Sequence, residues 1–444
     1  MKRTIALLLA AVMVLSLAGC GEKQEQTSAV KPLAEAVYPE MVPYPDAETY
    51  GDGDAYWAAY EAWRKGQSDR RSGGKPERVQ AFQSATMGQL LGETGGENKV
   101  YSPANLYMAL SMLAELTDGE SRAQILQLLR CDDIEAVRTQ VDALWKRSYC
   151  NDGAATTVLA NSLWLNEDVT FRQPTMDLLA KTYRASAYQG AMGSKELNTA
   201  LQNWLNTQTL GLLKEQIQNV ELDAQTILAL ASTIAFQAKW DEEFSESKTN
   251  TDIFHSAKGD VECEFMHMGG SNQYYWGEHF AAIVRSFASG EEMWFFLPDE
   301  GVTPEELAAD PEVTELLREP YSWENSKYLI VNQSIPKFDV TSQMELSDAL
   351  RELGVTHVFD GAAADFSPMV EEASGVAVSQ VKHDARVMID EEGCTAVAYT
   401  VIPMAGAAAP PKEEVDFVLD RPFLFVINGL GGAPLFAGVV NTPD

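Results

Sequence analysis

Glu391-Glu392-Gly393-Cys394-Thr395-Ala396-Val397-Ala398-Tyr399-Thr400 has a period of two. Cys394, Ala396, Ala398 and Thr400 are all small, whereas the interleaved Thr395, Val397, Tyr399 and Val401 are larger. Side chains alternate across a strand, so this is the pattern of a strand with one face pressed into a tight interior. The run then continues through Ala405-Gly406-Ala407-Ala408-Ala409 to Pro410-Pro411, which is the composition of a loop. Strand-like runs, Arg386 to Ile389 and Phe423 to Ile427, stand on either side. The plain alternative is an Ala-rich connector; the sharper one is a loop that can become a strand.

Outward from this segment the patterns are dense and contain no repeat. Leu106 to Leu129 carries apolar residues at helical spacing, broken near Thr117 to Ser121, which predicts two helices joined by a turn. Val158 to Leu165, Ile227 to Ala235 and Met293 to Leu297 read as buried strands, and Leu346, Leu350 and Leu353 as a helix face stopped at Gly354 by a left-handed cap. Short β-rich runs between Val415 and Val440 are punctuated by Pro422, Gly429, Gly431 and Gly432. Helices lead and strands follow without βαβ alternation, which predicts a single α+β domain rather than a doubly wound sheet.

The chain has 444 residues, 45% of them hydrophobic, enough for a large core. Asp and Glu outnumber Lys and Arg by 65 to 33, a net charge of −32 that argues against nucleic acid and anionic membrane surfaces as partners. Any membrane attachment must be made in another way. Lys2 and Arg3, the apolar run Ile5 to Leu17 and the small Ala18 and Gly19 before Cys20 have the layout of an export signal, too short to span a bilayer. From Gly21 to about Lys75 the chain is polar and includes Pro39, Pro43 and Pro45, which predicts a tether. Tyr56, Trp57, Tyr60 and Trp63 interrupt it at helical spacing, as a short amphipathic helix packed on the body or, alternatively, a platform for stacking carbohydrate.

Chemistry is hard to find by motif. Gly-x-Ser-x-Gly, His-Glu-x-x-His, phosphate-loop and dinucleotide patterns are all absent, and His255, His267, His279, His357 and His383 have no metal-ligand spacing. Cys131, Cys150, Cys263 and Cys394 form no Cys-x-x-Cys pair and are read as free, although export would permit Cys131 with Cys150. Neither metal nor cofactor is expected.

From about residue 78 to 442 the chain resembles the serpin family. The acidic pair Glu391-Glu392, Gly393, a small residue and an Ala-rich run are similar to the hinge of a serpin reactive loop. Asp420-Arg421-Pro422-Phe423-Leu424-Phe425 with Pro434-Leu435-Phe436-Ala437-Gly438-Val439-Val440-Asn441 resembles the family's C-terminal signature. Asn98 with Ser102-Pro103, Ala160-Asn161-Ser162-Leu163-Trp164, Phe236 with Lys239-Trp240 and Phe244, Ile335-Pro336-Lys337-Phe338, and Ala364-Asp365-Phe366-Ser367 follow in the family's order. Leu17-Ala18-Gly19-Cys20 likewise resembles a bacterial lipobox, in which the cysteine becomes a lipidated N-terminus. The expected organisation is a lipoprotein signal over 1–20, the tether over 21–77 and a serpin domain over 78–444 with a large central mixed β-sheet, further sheets and surrounding helices.

The resemblance implies an inhibitor, not an enzyme: the loop baits a serine or cysteine protease, is cut, and inserts as a strand into the central sheet before the acyl-enzyme is hydrolysed. Glu391, Glu392, Gly393, Cys394, Thr395, Ala396, Val397 and Ala398 are its hinge. The small face satisfies insertion; Cys394 departs from the usual threonine or serine, and Val397 with Tyr399 interrupts the alanine run on the opposite face. Carried over by position, Asn98, Ser102, Pro103 and His383 lie under the sheet opening, Trp240 marks where the loop first enters, and His383 is a latch between central strands. Ser232 stands where the family has an asparagine, which loosens that latch.

Family spacing from Glu391 sets the cut at Ala407-Ala408, and Pro410-Pro411 sits just beyond it; cleavage at Met404-Ala405 is the alternative. Met404-Ala405-Gly406-Ala407 carries no positive charge and no large side chain next to the Ala407 bond, which favours an elastase-like protease with a small pocket, or a papain-like cysteine protease. The expected protein is a monomer, exported and held by lipid on Cys20 with its domain on the extracellular or periplasmic side. A non-inhibitory lipoprotein that uses the serpin body as scaffold for a binding role is the competing function.

Overall fold

The computed structural model describes residues 30–45, 53–72, 74–153, 155–372, 375–394 and 411–443. Along the chain the helices are α1 (Gly53–Arg71), α2 (Glu77–Leu91), α3 (Pro103–Leu116), α4 (Gly119–Leu128), α5 (Ile134–Ser148), α6 (Gln173–Thr182), α7 (Lys195–Gln208), α8 (Lys214–Ile217), α9 (Pro304–Ala308), α10 (Pro311–Arg318) and α11 (Ser347–Glu352). Ser102 caps α3, accepting from the Asn105 N–H at 3.1 Å, and Pro103 occupies its first turn, where a missing N–H costs no hydrogen bond. Such a helix, buried on nearly every face, belongs at the centre. The break between Leu116 and Gly119 and the positive φ of 95° at Gly354 after α11 are where the sequence predicts them.

Two sheets sandwich this helix layer's core. The central one contains β1 (Pro32–Ala34), β3 (Cys150–Asn151), β4 (Ala155–Asn166), β5 (Ala185–Gly190), β6 (Leu228–Lys239), β12 (Phe338–Glu345), β13 (Lys382–Ile389) and β14 (Gly393–Cys394). Its order is β1-β5-β4-β6-β14-β13-β12, with β3 on β4. The second contains β2 (Lys99–Tyr101), β7 (Asn250–Ser256), β8 (Gly259–Trp276), β9 (Phe280–Ser286), β10 (Glu292–Pro298), β11 (Ser326–Pro336), β15 (Glu414–Val418), β16 (Phe423–Gly429) and β17 (Ala433–Val440). Its order is β15-β11-β8-β9-β10-β16-β17-β2, with β7 on β8. Parallel β4–β5 and β11–β15 pairs make both sheets mixed, as expected for the α+β class. Cys131, Cys150 and Cys263 are free thiols, so Cys131 is not bridged to Cys150.

The described part of the predicted tether belongs to the body. β1 adds a strand to the edge of the central sheet, antiparallel to β5. Tyr38 stacks on Tyr149 at 5.5 Å and on Trp145 at 6.4 Å, and the Tyr44 N–H donates to the Asp152 carbonyl at 2.8 Å. The Trp63 indole and the Gln67 amide of α1 donate to the Asp152 carboxylate at 2.8 and 2.7 Å, and the Arg70 guanidinium lies 3.6 Å from buried Glu291. The aromatic cluster packs on itself and on the body: Tyr44, Tyr56, Tyr60 and Trp63 turn their rings on one another, Trp63 is buried, and Trp57 is the exposed member. Prolines that exclude helix and sheet interior leave an extended segment, and extended segments can dock as readily as dangle.

Asp152 is 3% exposed and also accepts from the Ala155 N–H at 3.1 Å. Asp152→Ala leaves these buried donors without an acceptor and is expected to cost about 3 kcal/mol. Thermal unfolding should show a clear drop for Asp152→Ala and a smaller one for Asp152→Asn, which keeps an acceptor; unchanged midpoints in both would contradict the docking of α1.

Candidate functional site: the opening between two central strands

β6 and β13 lie on either side of β14, and β14 is only two residues long. Gly393 lies opposite Lys239 and Cys394 opposite Ala238 on one side, and Ile389 lies opposite Cys394 on the other. Below this level no pairing joins β6 to β13 among the described residues, although β6 is fully laddered to β4 and β13 to β12. The chain is thus started between two strands that are parted ahead of it. Only glycine fits at the start: a Cβ on Gly393 would meet the Ala238 carbonyl oxygen at 2.2 Å and the Lys239 Cα at 2.7 Å.

The turn before β14 is held by a charged clasp. The buried Glu391 carboxylate pairs with Lys337 at 2.9 Å and accepts from the Thr249 hydroxyl at 2.7 Å, while the Glu391 carbonyl accepts from the Phe244 N–H at 2.9 Å. Burial alone would raise its pKa, but the Thr249 and Lys337 hydrogen bonds outweigh burial and hold the carboxyl below its ordinary value. Lys337 also reaches Glu264 at 3.0 Å; its burial lowers its pKa, and the two carboxylates overcome that and raise it. Trp240, fully buried and stacked on Phe287 at 4.5 Å, donates its N–H to the Glu392 carbonyl and its indole to the Asp390 carbonyl, at 2.9 and 3.0 Å. It therefore grips the chain on both sides of Glu391.

Lower down, α3 touches both halves of the parted sheet. The Ser102 N–H donates to His383 Nε2 of β13 at 2.9 Å, and the Asn105 side chain donates to the Ser232 carbonyl of β6 at 3.0 Å. No described hydrogen bond runs from His383 directly to β6, so the expected strand-to-strand latch is replaced by a link through the first turn of a helix. Asn105 supplies the amide that Ser232 lacks. Asn98 lies elsewhere: its side chain accepts from the Asn441 and Thr442 N–H groups at 2.7 and 2.9 Å and donates to the Thr442 carbonyl at 2.7 Å, pinning the chain's C-terminal end. Pro103 serves as the first-turn residue of α3.

Burial pushes the His383 pKa down from 6.5 to about 4, so the folded protein holds a neutral imidazole that accepts at Nε2. Above pH 6.5 neither state binds the proton and the group is silent. As pH falls from 6.5 toward 4 only the unfolded chain is protonated, so stability is lost, about 2 kcal/mol of it by pH 5. Denaturant unfolding at pH 7 and pH 5 should show that loss, and His383→Gln should reduce it; an equal slope in the variant would refute the assignment.

The family model for the serpins, described as serine protease inhibitors, matches residues 77–443. This chain belongs to the serpin family. Serpins are generally protease inhibitors rather than catalysts. Serpin-Z1C of Triticum aestivum is 28% identical over 371 residues, covering 79% of this chain and 91% of that one, and Serpin-ZX of Arabidopsis thaliana is 28% identical over 368 residues, covering 78% and 92%. In three dimensions this serpin is similar to native Arabidopsis AtSerpin1, with a TM-score of 0.72 and 25% identity over 83% of this chain and 98% of that one. It also shares its fold with the thermophilic serpin tengpin in the native state, with a TM-score of 0.72 and 24% identity over 82% and 93%, and in the latent state, with a TM-score of 0.70.

For this serpin, the residues that the sequence brings forward and the structure gathers at the parted strands are Glu391, Glu392, Gly393, Cys394, Trp240, Ser102, Ser232 and His383. Thr395, Ala396, Val397, Ala398, the candidate bonds Ala407-Ala408 and Met404-Ala405, and Cys20 lie outside the described residues. Sequence reasoning assigned no part to Thr249, Lys337 and Asn105. Lys337 appears in a family motif without a role, and Asn105 sits three residues after Ser102, which places it one helical turn away but says nothing of the strand it reaches.

Proposed function

We propose that this serpin is a suicide inhibitor of an elastase-like serine protease, cut at Ala407-Ala408, with its reactive loop inserting between β6 and β13. The seating of Gly393 and Cys394 between those strands carries the reading. Continued in their register, residues 396, 398 and 400 come opposite Phe236, Ile234 and Ser232 on one side and Val387, Ala385 and His383 on the other. Cys394, Phe236, Val387, Ala385 and His383 are each at most 5% exposed, while Ile234 and Ser232 are part-exposed, so the row is largely buried and suits small side chains. Ala396, Ala398 and Thr400 suit it. The bait offers no cation to an acidic pocket and only a methyl group at Ala407, which favours a small pocket.

Acylation of Cys20 after removal of the signal would hold the domain at the outer side of the cell membrane; no described helix is long and apolar enough to cross one. Loss of Lys2 and Arg3 leaves 31 cations against 65 acids, a charge of −34 that keeps a monomer soluble and off anionic surfaces. The test is direct: mix the domain starting at Gly21 with pancreatic elastase and run a denaturing gel. A covalent complex is expected, with release of a C-terminal peptide whose mass begins at Ala408. Two fragments and no complex would reject inhibition, and a peptide beginning at Ala405 would move the cut.

A further inference from the structure

Strand registers relate the point where the chain joins the body to the point where an inserted loop would end. Ala34 of β1 lies opposite Ala187 of β5, Ala187 opposite Leu163 of β4, and Leu163 opposite Leu230 of β6. The register of Gly393 and Cys394 on β6, carried on, brings Ile402 opposite Leu230, into the same row as Ala34. β1 is antiparallel to β5 and climbs toward the Trp240 end, so Pro32, opposite Tyr188, lies below Ala34. Val30 is lower again and packs into a small core with Trp164, Leu201 and Trp204 beneath α7. After insertion Ala407, five residues beyond Ile402 in sequence, would come to the same end. Across the sheet, four strand spacings separate an inserted strand from β1, about 19 Å.

We infer that the pole where the chain joins the body faces the membrane, and that loop insertion delivers the captured protease into the space between that pole and the bilayer. This rests on the inhibitor reading and on an acylated Cys20. Ten peptide steps separate Cys20 from Val30, a reach of at most about 35 Å when fully extended. A protease of about 240 residues has a radius of gyration near 18 Å, equivalent to a sphere about 45 Å across. The leash is shorter than the cargo. The trapped protease is therefore pressed against the bilayer or the body tilts to admit it, and the anchored inhibitor inserts its loop against a resistance that the free domain does not meet. Glu167, Asp168, Glu221 and Asp223, exposed at the lower ends of β4 and β6, outweigh the exposed Lys31 beside β1 and disfavour adhesion to anionic headgroups. Bait and trap are then at opposite poles: protease is met on the side away from the membrane and held on the side toward it.

The test uses the full acylated chain in phosphatidylethanolamine–phosphatidylglycerol vesicles with a donor dye on the headgroups and an acceptor dye on elastase. A second chain carries a Gly/Ser insert of about 30 residues after Gly21, whose average span alone is about 30 Å. Covalent complex on the native leash should show strong energy transfer, the insert should cause its loss, and the insert should raise the ratio of complex to cleaved inhibitor on vesicles while leaving it unchanged in detergent. Equal transfer and equal ratios for the two chains on vesicles would overturn the inference. Absence of complex even in detergent would refute the inhibitor reading and this inference with it, and a Cys20 without acyl mass would refute the anchor. Complex in detergent, an acylated Cys20 and leash-independent transfer together would overturn this inference alone.

Discussion

An Ala396→Glu variant is expected to be cut by the target protease at the rate of the unaltered chain and to yield almost no covalent complex. Cleavage depends on the bait around Ala407, eleven residues further on, and should not change. Insertion depends on what must be buried. Continued from β14, position 396 comes between Phe236 and Val387, which are 3% and 2% exposed, on the inward face that Cys394 opens. No cation stands in that row, and an unpaired carboxylate there costs several kcal/mol. Trapping is a race between insertion and hydrolysis of the acyl-enzyme, and each 1.4 kcal/mol added to the insertion barrier slows it about tenfold. A penalty of that size turns an inhibitor into a substrate. Val397→Glu is the internal control: its side chain would lie on the opposite face, so trapping should persist. The ratio of complex to cleaved product on a gel reads both, and loss of trapping in both variants, or in neither, would show that the face assignment is wrong.

The features most legible in the sequence are those whose signal is local. The break near Gly119, the cap at Gly354 and the apolar strands at the C-terminal end all appear where periodicity and turn chemistry place them. The site was legible only where a motif named it. Trp63 with Asp152, Asn105 with Ser232 and Thr249 with Glu391 are partners separated by 89, 127 and 142 positions, and no local pattern reports such a distance. Composition misled at the N-terminal segment for a related reason. Pro39, Pro43 and Pro45 exclude regular structure, but Tyr38 just before them and Tyr44 among them are anchors whose surfaces belong to α5 and the β3–β4 turn. Asn98 shows the converse: a residue in the family's order was assigned to the sheet opening by association with Ser102, and its hydrogen bonds hold the last residues of the chain instead.

Glu391→Lys should be the most damaging single change at the top of the opening. It removes the carboxylate from Lys337 and Thr249 and sets a second ammonium beside Lys337, with Lys239 of β6 already shared between Glu243 and the adjacent Glu392. The Glu391 side chain is 11% exposed and that of Lys337 29%, and Lys337 keeps Glu264, so losing this part-buried contact costs about 1–3 kcal/mol, before repulsion is added. The carbonyls of Asp390 and Glu392 would still accept from Trp240, so the turn need not unfold, but the clasp that fixes where β14 begins would be gone. The expected result is a lowered thermal midpoint and slow loss of inhibitory activity on storage, as the parted strands accept the chain's own uncut loop or that of a neighbour. Glu391→Gln should fall between, because the amide still accepts from Thr249. The decisive comparison is the charge-swapped pair Glu391→Lys with Lys337→Glu: it restores opposite charges at the same 2.9 Å contact, although Glu264 then faces a carboxylate. Partial recovery of midpoint and shelf life in the double variant would assign the effect to the pair. A double variant as unstable as the sum of the single changes would mean that Glu391 matters through Thr249 and the backbone, not through its charge.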